Sequence, residues 1–478
     1  MTDVHVYNYP PWEKSKKSPK PTSAGSVILI ASIFLAFVLL DPNALPSEIA
    51  RSAAIPVGIG LLVSIGFDLT RGWGNLFRTD LVCLLSFYFF TLIEFLFPQE
   101  GFFDENLTSE ETIQALNIVM LGLLCLVIGR HFSLLKPIPK KWLNFSTIPD
   151  QSLFRLLIVS AVLGYLYALW TVDFNLLDVI NGMLEPRFET PWARDAKGGV
   201  TSLFSELSLF RYVIPPISGI LWNRRQNFKN WQIIFVVIIF FFSLYEGFTS
   251  GTRSIFGAYL ASFLAGYFLT LQEIKLWKIL IPVGVASYAL IFATRHMVGF
   301  RNMGLRRYIE TKAYELVQAQ ESLAVDYNLL SMAKVIDAIP SIYDFLGWNM
   351  IVVFATKPVP RVLWSDKPLG LDTPIETIVG AQGYTVSITY VAEAYMMGGI
   401  IAVIIISLMI GAASNWWTRI IAQQSSGYAV AVGAIGFFVA ALTMRSLAFF
   451  TTMILPIIGL IFFAKVVPSW IGANKKYT

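Results

Sequence analysis

The chain has 478 residues, of which 55% are hydrophobic and 14% charged, and its mean hydropathy is +0.62. Soluble domains carry about 25% charged residues, so the composition excludes an ordinary soluble protein and indicates a polytopic membrane protein. The formal net charge of +5 fits Lys and Arg in cytoplasmic loops, and nothing indicates nucleic-acid binding. Cys83 and Cys125 lie in apolar stretches and are predicted to be small core residues, not a disulfide.

Apolar stretches predict an all-α fold with about 12 transmembrane helices. Residues 1–24 form a basic, Pro-rich cytoplasmic tail, and 25–294 hold the first nine spans. The segment 295–389 follows, and 390–478 hold the last three spans and a cytoplasmic tail. The predicted spans are 25–40, 53–67, 81–97, 115–129, 153–171, 207–222, 231–248, 255–271, 279–294, 390–412, 428–442 and 447–464.

The charges of the short loops predict how the chain is oriented. The loops 68–80 and 223–230 are basic, whereas the loop 98–112 is acidic. Cytoplasmic loops are enriched in Lys and Arg. Both termini are therefore predicted to lie in the cytoplasm, and the long segment 295–389 is predicted to be periplasmic.

Three local patterns modify this simple topology. Pro215 and Pro216 remove two backbone donors and are expected to kink the sixth span. The stretch 305–338 has residues typical of helices, and we expect one or two amphipathic helices that lie over the outer face. The stretch 342–354 is apolar and aromatic but too short to span, so we expect a re-entrant or interfacial piece.

Cations on the predicted outer side are the main functional signal. Arginine in an outer turn runs against the usual charge bias, and its planar guanidinium matches phosphate oxygens bidentately. Snorkelling to the interface or an ion pair would explain any one of them. We expect at least three to converge on one phosphate-bearing substrate. The cations are Arg253, Arg295, Arg301, Arg306, Arg307, Arg361, Lys367 and Arg445.

Three other ionisable residues are candidates for chemistry. His296 follows Arg295 at the outer end of a span, where it is either an acid–base group or an exposed interfacial histidine. Glu393 lies in the apolar start of the tenth span and is either a general base or the partner of an arginine. Glu246, near the outer end of the seventh span, has the same two interpretations.

Several classes of site are absent from the sequence. It has no Gly-x-x-x-x-Gly-Lys-Ser/Thr loop for ATP and no Asp-x-Asp pair of the kind that holds a metal and a nucleotide sugar. Its histidines, His5, His131 and His296, are far apart and on different predicted sides. We therefore expect no metal and no cofactor.

Three motifs occur in order in the second half of the chain. They are Ser250-Gly251-Thr252-Arg253, then Pro360-Arg361-Val362-Leu363-Trp364-Ser365-Asp366-Lys367-Pro368, then Ala392-Glu393-Ala394-Tyr395-Met396-Met397-Gly398-Gly399. Together they resemble the Wzy-type O-antigen polymerases, which join oligosaccharide repeat units. The resemblance covers about 250–399, and the proline-rich motif is its most specific part. Gly-Thr-Arg stands where a serine is more usual in the middle position.

The resemblance implies a GT-C-like membrane glycosyltransferase of the bacterial inner membrane, with its active site facing the periplasm. Such an enzyme transfers a glycan from undecaprenyl diphosphate onto the next lipid-linked repeat unit, beside a flippase and a chain-length regulator protein. It implies that cations bind the diphosphate and that Glu393 or His296 acts as the base. The implied substrate-binding residues are Arg253, Arg295, Arg301, Arg361, Lys367 and Arg445.

Two other functions remain open. A glycan ligase of the same membrane fold would move finished polymer onto a lipid core with the same diphosphate chemistry. A lipid-linked oligosaccharide flippase would have a similar number of spans, but its charges should lie within the spans, not at their outer ends.

Overall fold

The computed structural model describes residues 19–99, 101–133, 150–192, 200–271, 275–315, 327–359, 363–364, 366–367, 375–380, 387–422 and 427–466. Within these ranges all regular structure is helical. The α-helices are α1 (Ser23–Val38), α2 (Pro46–Leu69), α3 (Thr79–Thr91), α4 (Phe102–Asn106), α5 (Ser109–Gly129), α6 (Asp150–Thr171), α7 (Leu176–Gly182), α8 (Val200–Leu207), α9 (Ile214–Asn223), α10 (Asn230–Thr249), α11 (Arg253–Leu269), α12 (Leu276–Met303), α13 (Leu305–Glu310), α14 (Asn328–Ala338), α15 (Trp348–Thr356), α16 (Ile375–Ile378), α17 (Thr389–Ala422), α18 (Gly427–Arg445) and α19 (Leu447–Val466). Short 3-10 helices are Trp73–Leu76, Ile93–Leu96, Ser208–Val213 and Arg225–Asn227.

Seven helices of the described chain are long and apolar enough to cross a membrane, judged by length and composition. They are α2, α5, α6, α10, the Leu276–Met297 part of α12, α17 and α18. Helices α1 and α3 and the Leu447–Phe463 part of α19 are also apolar but shorter. The chain is therefore a helical membrane protein, as its composition predicts. Each apolar stretch that was predicted to span overlaps helix, although 81–97 is interrupted at Leu92 and 207–222 is partly 3-10 helix.

The helices pack into two groups that share α17 and α18. Helices α1, α2, α3 and α5 pack together, and α17 lies along α5; the second group holds α6, α9, α10, α11, α18 and α19. Small residues allow close approach within each group. A Cβ atom on Gly129 of α5 would lie 2.5 Å from the carbonyl oxygen of Leu408, and one on Gly219 of α9 would lie 2.1 Å from that of Phe263.

The sixth predicted span differs from its expected form. The sequence predicted one helix kinked by Pro215 and Pro216, but the structure has the 3-10 helix Ser208–Val213 followed by α9, with the prolines in the first turn of α9. The first backbone N–H groups of a helix have no partner within it, so proline costs little there. The prolines therefore start a helix instead of interrupting one.

A buried ionic network, the Arg78 cluster, joins the ends of α2, α3 and α5. It comprises Asp68, Arg78, Asp80 and Arg130. Nη2 of Arg78 lies 2.7 Å from Oδ2 of Asp68, Nε lies 3.0 Å from Oδ1 of Asp80, and these side chains are at most 2% exposed. Burial alone would lower the pKa of Arg78, but Asp80 and Asp68 outweigh it and the pKa is raised. Buried ion pairs of Arg78 with Asp68 and Asp80 therefore hold the loop 68–80 in place.

Helix α14 of the long segment packs into the first group. Leu329, Met332, Ala333 and Val335 are at most 1% exposed. The side-chain amide of Asn328 donates to the carbonyl of Phe90 in α3, at 2.8 Å. The described part of this segment therefore lies partly between the long helices, and not only over their ends as the sequence had suggested.

Candidate functional site

The candidate site lies at the end of the bundle away from the Arg78 cluster, which we call the distal end. Helix α17 runs towards the cluster, because the Thr79 N–H donates to Thr418 Oγ1 at 2.9 Å near the end of α17. Helix α18 returns to the distal end and finishes at Arg445. Most charged residues that the sequence selected lie at this end.

A break in α17 shapes the distal end. Gly398 has φ −174° and ψ 36°, and Gly399 has φ +64° and ψ −151°, so neither is helical. The hydroxyl of Tyr390 nevertheless lies 3.1 Å from Oγ of Ser407. On a continuous helix, seventeen residues would rise about 25 Å, so the piece before the break must fold back on the piece after it. The predicted tenth span, 390–412, is therefore two helices in a hairpin.

Backbone donors from the long segment cover the break. The N–H groups of Leu346 and Gly347 donate to the carbonyls of Met396 and Met397 at 2.9 and 3.0 Å. The helix break deprives these carbonyls of their usual partners four residues on. A segment about fifty residues upstream supplies the missing donors, which fixes the start of α15 against the break.

Glu393 lies in the folded-back piece and is 7% exposed. Its Oε1 accepts the hydroxyl of Ser446 at 2.5 Å, and its Oε2 accepts the N–H of Leu447 at 2.5 Å. Leu447 starts α19, so the carboxylate caps the positive end of that helix. Lys357 and Arg445 are the cations that act electrostatically on Glu393. Glu393 thus ties the α17 hairpin to the turn between α18 and α19.

Two lysines act electrostatically on a second carboxylate, Glu206 of α8. Burial raises the pKa of Glu206, and the positive charges of Lys367 and Lys357 act against this rise. Nζ of Lys367 donates to the carbonyls of Lys357 and Val359 at 2.6 and 2.9 Å, at the end of α15. Lys357 therefore lies within electrostatic reach of both Glu206 and Glu393. Sequence reasoning did not select Glu206 or Lys357.

Arg211 forms a further ion pair that the sequence prediction missed. Its Nη1 donates to Oε1 of Glu246 at 2.9 Å, with 24% of the Arg211 and 12% of the Glu246 side chain exposed. The hydroxyl of Tyr259 donates to Oε2 of Glu246 at 3.1 Å, and the guanidinium lies 5.2 Å from the ring of Tyr212. Of the two interpretations of Glu246, the structure supports an arginine partner. Arg211 could have been selected from the sequence, because it is a charged residue inside a predicted span, and such residues are usually functional or paired.

The turn before α11 packs against one predicted cation, Arg301, and is followed directly by another, Arg253. Gly251 has φ +64°, and a Cβ atom there would lie 2.5 Å from Cβ of Arg301. Arg253, two residues on, is 8% exposed. The Arg301 carbonyl accepts the N–H of Arg187 at 3.2 Å, so the earlier outer loop also contacts the end of α12. Gly251 thus permits a close contact between the turn and Arg301.

The stretch from Glu206 to Arg211 connects the two sets of cations. At one end the charges of Lys357 and Lys367 act on Glu206. At the other end Arg211 binds Glu246. Glu246 lies four residues before Ser250, whose N–H donates to the Glu246 carbonyl at 2.9 Å. The charged residues of the distal end therefore form one connected region.

The remaining predicted residues have different surroundings. His296 is 8% exposed, and its Nδ1 lies 2.8 Å from the hydroxyl of Tyr308, so it is not the exposed interfacial histidine of one interpretation. Arg295 is exposed on α12, whereas Arg445 is half-buried. Lys367 is tied to backbone carbonyls, and Arg361 lies outside the described residues.

Metal ligation has no candidate among the residues that the structure describes, where no three His, Cys, Asp or Glu side chains are grouped suitably. Comparison with protein-family models, with curated proteins and with solved structures finds no match for this chain. Function is therefore inferred from the distal end itself.

Proposed function

We propose that this protein is a membrane glycosyltransferase that polymerises oligosaccharide units carried on undecaprenyl diphosphate. In this proposal the chain has about twelve membrane helices in a GT-C-like arrangement, with both termini in the cytoplasm. The distal end faces the periplasm of a bacterial inner membrane. A flippase would deliver the substrate, a chain-length regulator would be a further partner, and no metal or cofactor would be needed.

One observation carries the proposal: cations and two carboxylates share one end of an apolar bundle. Lys357, Lys367 and Arg445 act on Glu206, on Glu393 or on both. A bundle end rich in fixed positive charge suits an anionic group carried at the membrane surface. Carboxylates beside it suit proton transfer from a sugar hydroxyl.

The proposed reaction needs cations on the leaving group. A hydroxyl oxygen of the acceptor sugar attacks the anomeric carbon of the donor, and the bond from that carbon to the diphosphate oxygen breaks. The electron pair leaves with the diphosphate, whose negative charge the cations stabilise. The proposed set keeps Arg253, Arg301, Arg361, Lys367 and Arg445 and leaves out Arg295, which is exposed on α12. We add Lys357 and Arg211 to it.

The acceptor hydroxyl must lose its proton to a base, and we favour Glu206. Both oxygens of Glu393 already hold the α18–α19 turn, so Glu393 suits a positioning role. Glu206 is half-buried, so its carboxylate remains accessible to a sugar hydroxyl, and burial raises its pKa. His296 is bound to Tyr308 in an apolar cluster with Phe300, which makes it the weaker candidate.

The test is a transfer assay in vesicles that contain the purified protein and an undecaprenyl-diphosphate-linked oligosaccharide. A polymerase produces a ladder of lipid-linked products that differ by one repeat unit. A ligase leaves single units unjoined until a lipid-core acceptor is added, and a flippase moves the unit across the bilayer without forming a bond. Absence of the ladder, with folded protein in the vesicles, would contradict the proposal.

A further inference from the structure

Helix α15 is apolar on nearly all sides but only partly covered by protein. Its sequence from Trp348 to Thr356 is Trp-Asn-Met-Ile-Val-Val-Phe-Ala-Thr. Met350 and Phe354 are buried, and the helix packs on α17 and α19. Trp348 is 72% exposed and Ile351 is 36% exposed on another face. A helix that is hydrophobic all round belongs in a protein core or in lipid, so its exposed face is suited to lipid.

The length of α15 limits where it can lie. Nine residues rise about 14 Å, less than half of the roughly 30 Å hydrocarbon layer. Such a helix reaches into one leaflet and does not cross. Its start is held at the α17 break by Leu346 and Gly347, which satisfy the carbonyls of Met396 and Met397. Irregular backbone at membrane depth requires this kind of protein cover.

The other end of α15 is cationic. Lys367 donates to the carbonyls of Lys357 and Val359, so its ammonium lies at the C-terminal end of the helix, where positive charge is favoured. Lys357 also acts on Glu206 and Glu393. The apolar face of α15 therefore leads from the exposed surface to the charged region of the distal end.

We infer that the exposed face of α15 is the docking surface for the polyisoprenoid chain of the lipid-linked substrate. The chain lies against Trp348 and Ile351, and the phosphates lie near Lys357 and Lys367. This pairing of an apolar face with a cationic end matches a lipid that carries a phosphate head. The inference rests on the proposed function, which supplies the isoprenoid as the occupant.

Photo-crosslinking tests the inference. The photoreactive residue p-benzoylphenylalanine replaces Trp348 or Ile351 in the full chain, and the matched control replaces Phe241 of α10, which is 62% exposed. Vesicles of phosphatidylethanolamine and phosphatidylglycerol carry radiolabelled undecaprenyl diphosphate. We expect positions 348 and 351 to be labelled about tenfold more than 241, corresponding to about 1.4 kcal/mol of preferential binding. Unlabelled undecaprenyl diphosphate should remove the difference, and extra phosphatidylglycerol should not.

Two results would overturn the inference: equal labelling at the three positions, or equal competition by phosphatidylglycerol, which would indicate ordinary bilayer contact. Crosslinking needs no turnover, so it is independent of the transfer assay. A polymer ladder without selective labelling would contradict the docking surface but support the proposed function. Selective labelling without a ladder would support the docking surface but contradict the proposed function. The W348S variant adds a kinetic check, because loss of chain binding should raise KM more than it lowers kcat.

Discussion

The hydroxyl of Tyr390 lies 3.1 Å from Oγ of Ser407, although the two residues are seventeen positions apart in one apolar stretch. The contact requires α17 to fold back at Gly398 and Gly399. It buries the piece that carries Glu393 and opens two carbonyls to donors from the long segment. The contacts of Glu393 with Ser446 and Leu447 are made from this folded-back piece.

The first prediction concerns the two glycines of the break. Gly399→Ala should destabilise the protein by about 1–3 kcal/mol, because φ +64° with ψ −151° is a backbone conformation that essentially only glycine adopts. Its Cβ would also lie 3.2 Å from the ring of Phe345. Gly398→Ala is the matched control, since its φ of −174° suits any residue and its Cβ would meet Ala402 at 3.4 Å. Thermal unfolding in detergent measures both; equal loss in the two variants would argue against the hairpin.

The second prediction concerns Arg211 and Glu246. Arg211→Gln should destabilise the protein by about 2–3 kcal/mol, below the usual cost of breaking a fully buried pair because 24% of the arginine side chain is exposed. Glu246→Gln should cost a similar amount, and the double variant should cost less than the two singles together. Tyr259→Phe removes one hydrogen bond and should cost about 1 kcal/mol. Strictly additive single effects would show that the two charges are not coupled.

The third prediction concerns Glu393 as a cap of α19. Glu393→Gln should cost about 1–3 kcal/mol of stability. A glutamine amide has one oxygen, so it can no longer offer separate oxygens to the Ser446 hydroxyl and the Leu447 N–H. Ser446→Ala should cost less, because the Leu447 contact remains. Unfolding midpoints of the folded variants supply the measurement. A glutamine variant as stable as the wild type would remove the capping role.

The fourth prediction concerns the pH dependence of Glu206. Burial raises the pKa of this carboxyl, so it loses its proton at a higher pH than the ordinary glutamate value of about 4.3. If the ionised form is the base, kcat/KM should rise with pH through the raised pKa and then level. Glu206→Gln should remove this acidic limb and most of the rate. An unchanged acidic limb in the variant would assign the base to another residue.

The fifth prediction concerns Arg361, which lies outside the described residues. Arg361→Ala should abolish chain elongation at normal protein levels, because the guanidinium is proposed to bind the leaving diphosphate. Arg307→Ala is the control, since Arg307 is an exposed arginine of the same long segment. Polymer length on gels of extracted glycan measures both variants. Normal length in the Arg361 variant would count against this part of the site.

The sequence predicted the helices better than the site. Hydropathy is a local property, so the apolar stretches predict where helices form. Glu206, Lys357 and Arg211 at the distal end were not selected from the sequence. The folding back of α17 was not predictable, because it depends on N–H groups from Leu346 and Gly347. In the sequence, Gly398 and Gly399 are two adjacent glycines, which alone do not predict a break in the helix.

Helix geometry explains which cations came together. Arg295 and Arg301 are six residues apart on α12 and therefore point about 120° apart, so they cannot both face the Gly251 turn. The structure places Arg301 there and leaves Arg295 exposed. Arg211 was not predicted, because it lies inside an apolar stretch and not in an outer turn; there it pairs with Glu246.

The most direct test of the proposed polymerase is the profile of lipid-linked and finished glycans in cells that lack this protein. The proposal predicts glycans that carry a single repeat unit, and restoration of long chains by the intact gene. Long polymer accumulating on undecaprenyl diphosphate would instead indicate a ligase and contradict the proposal.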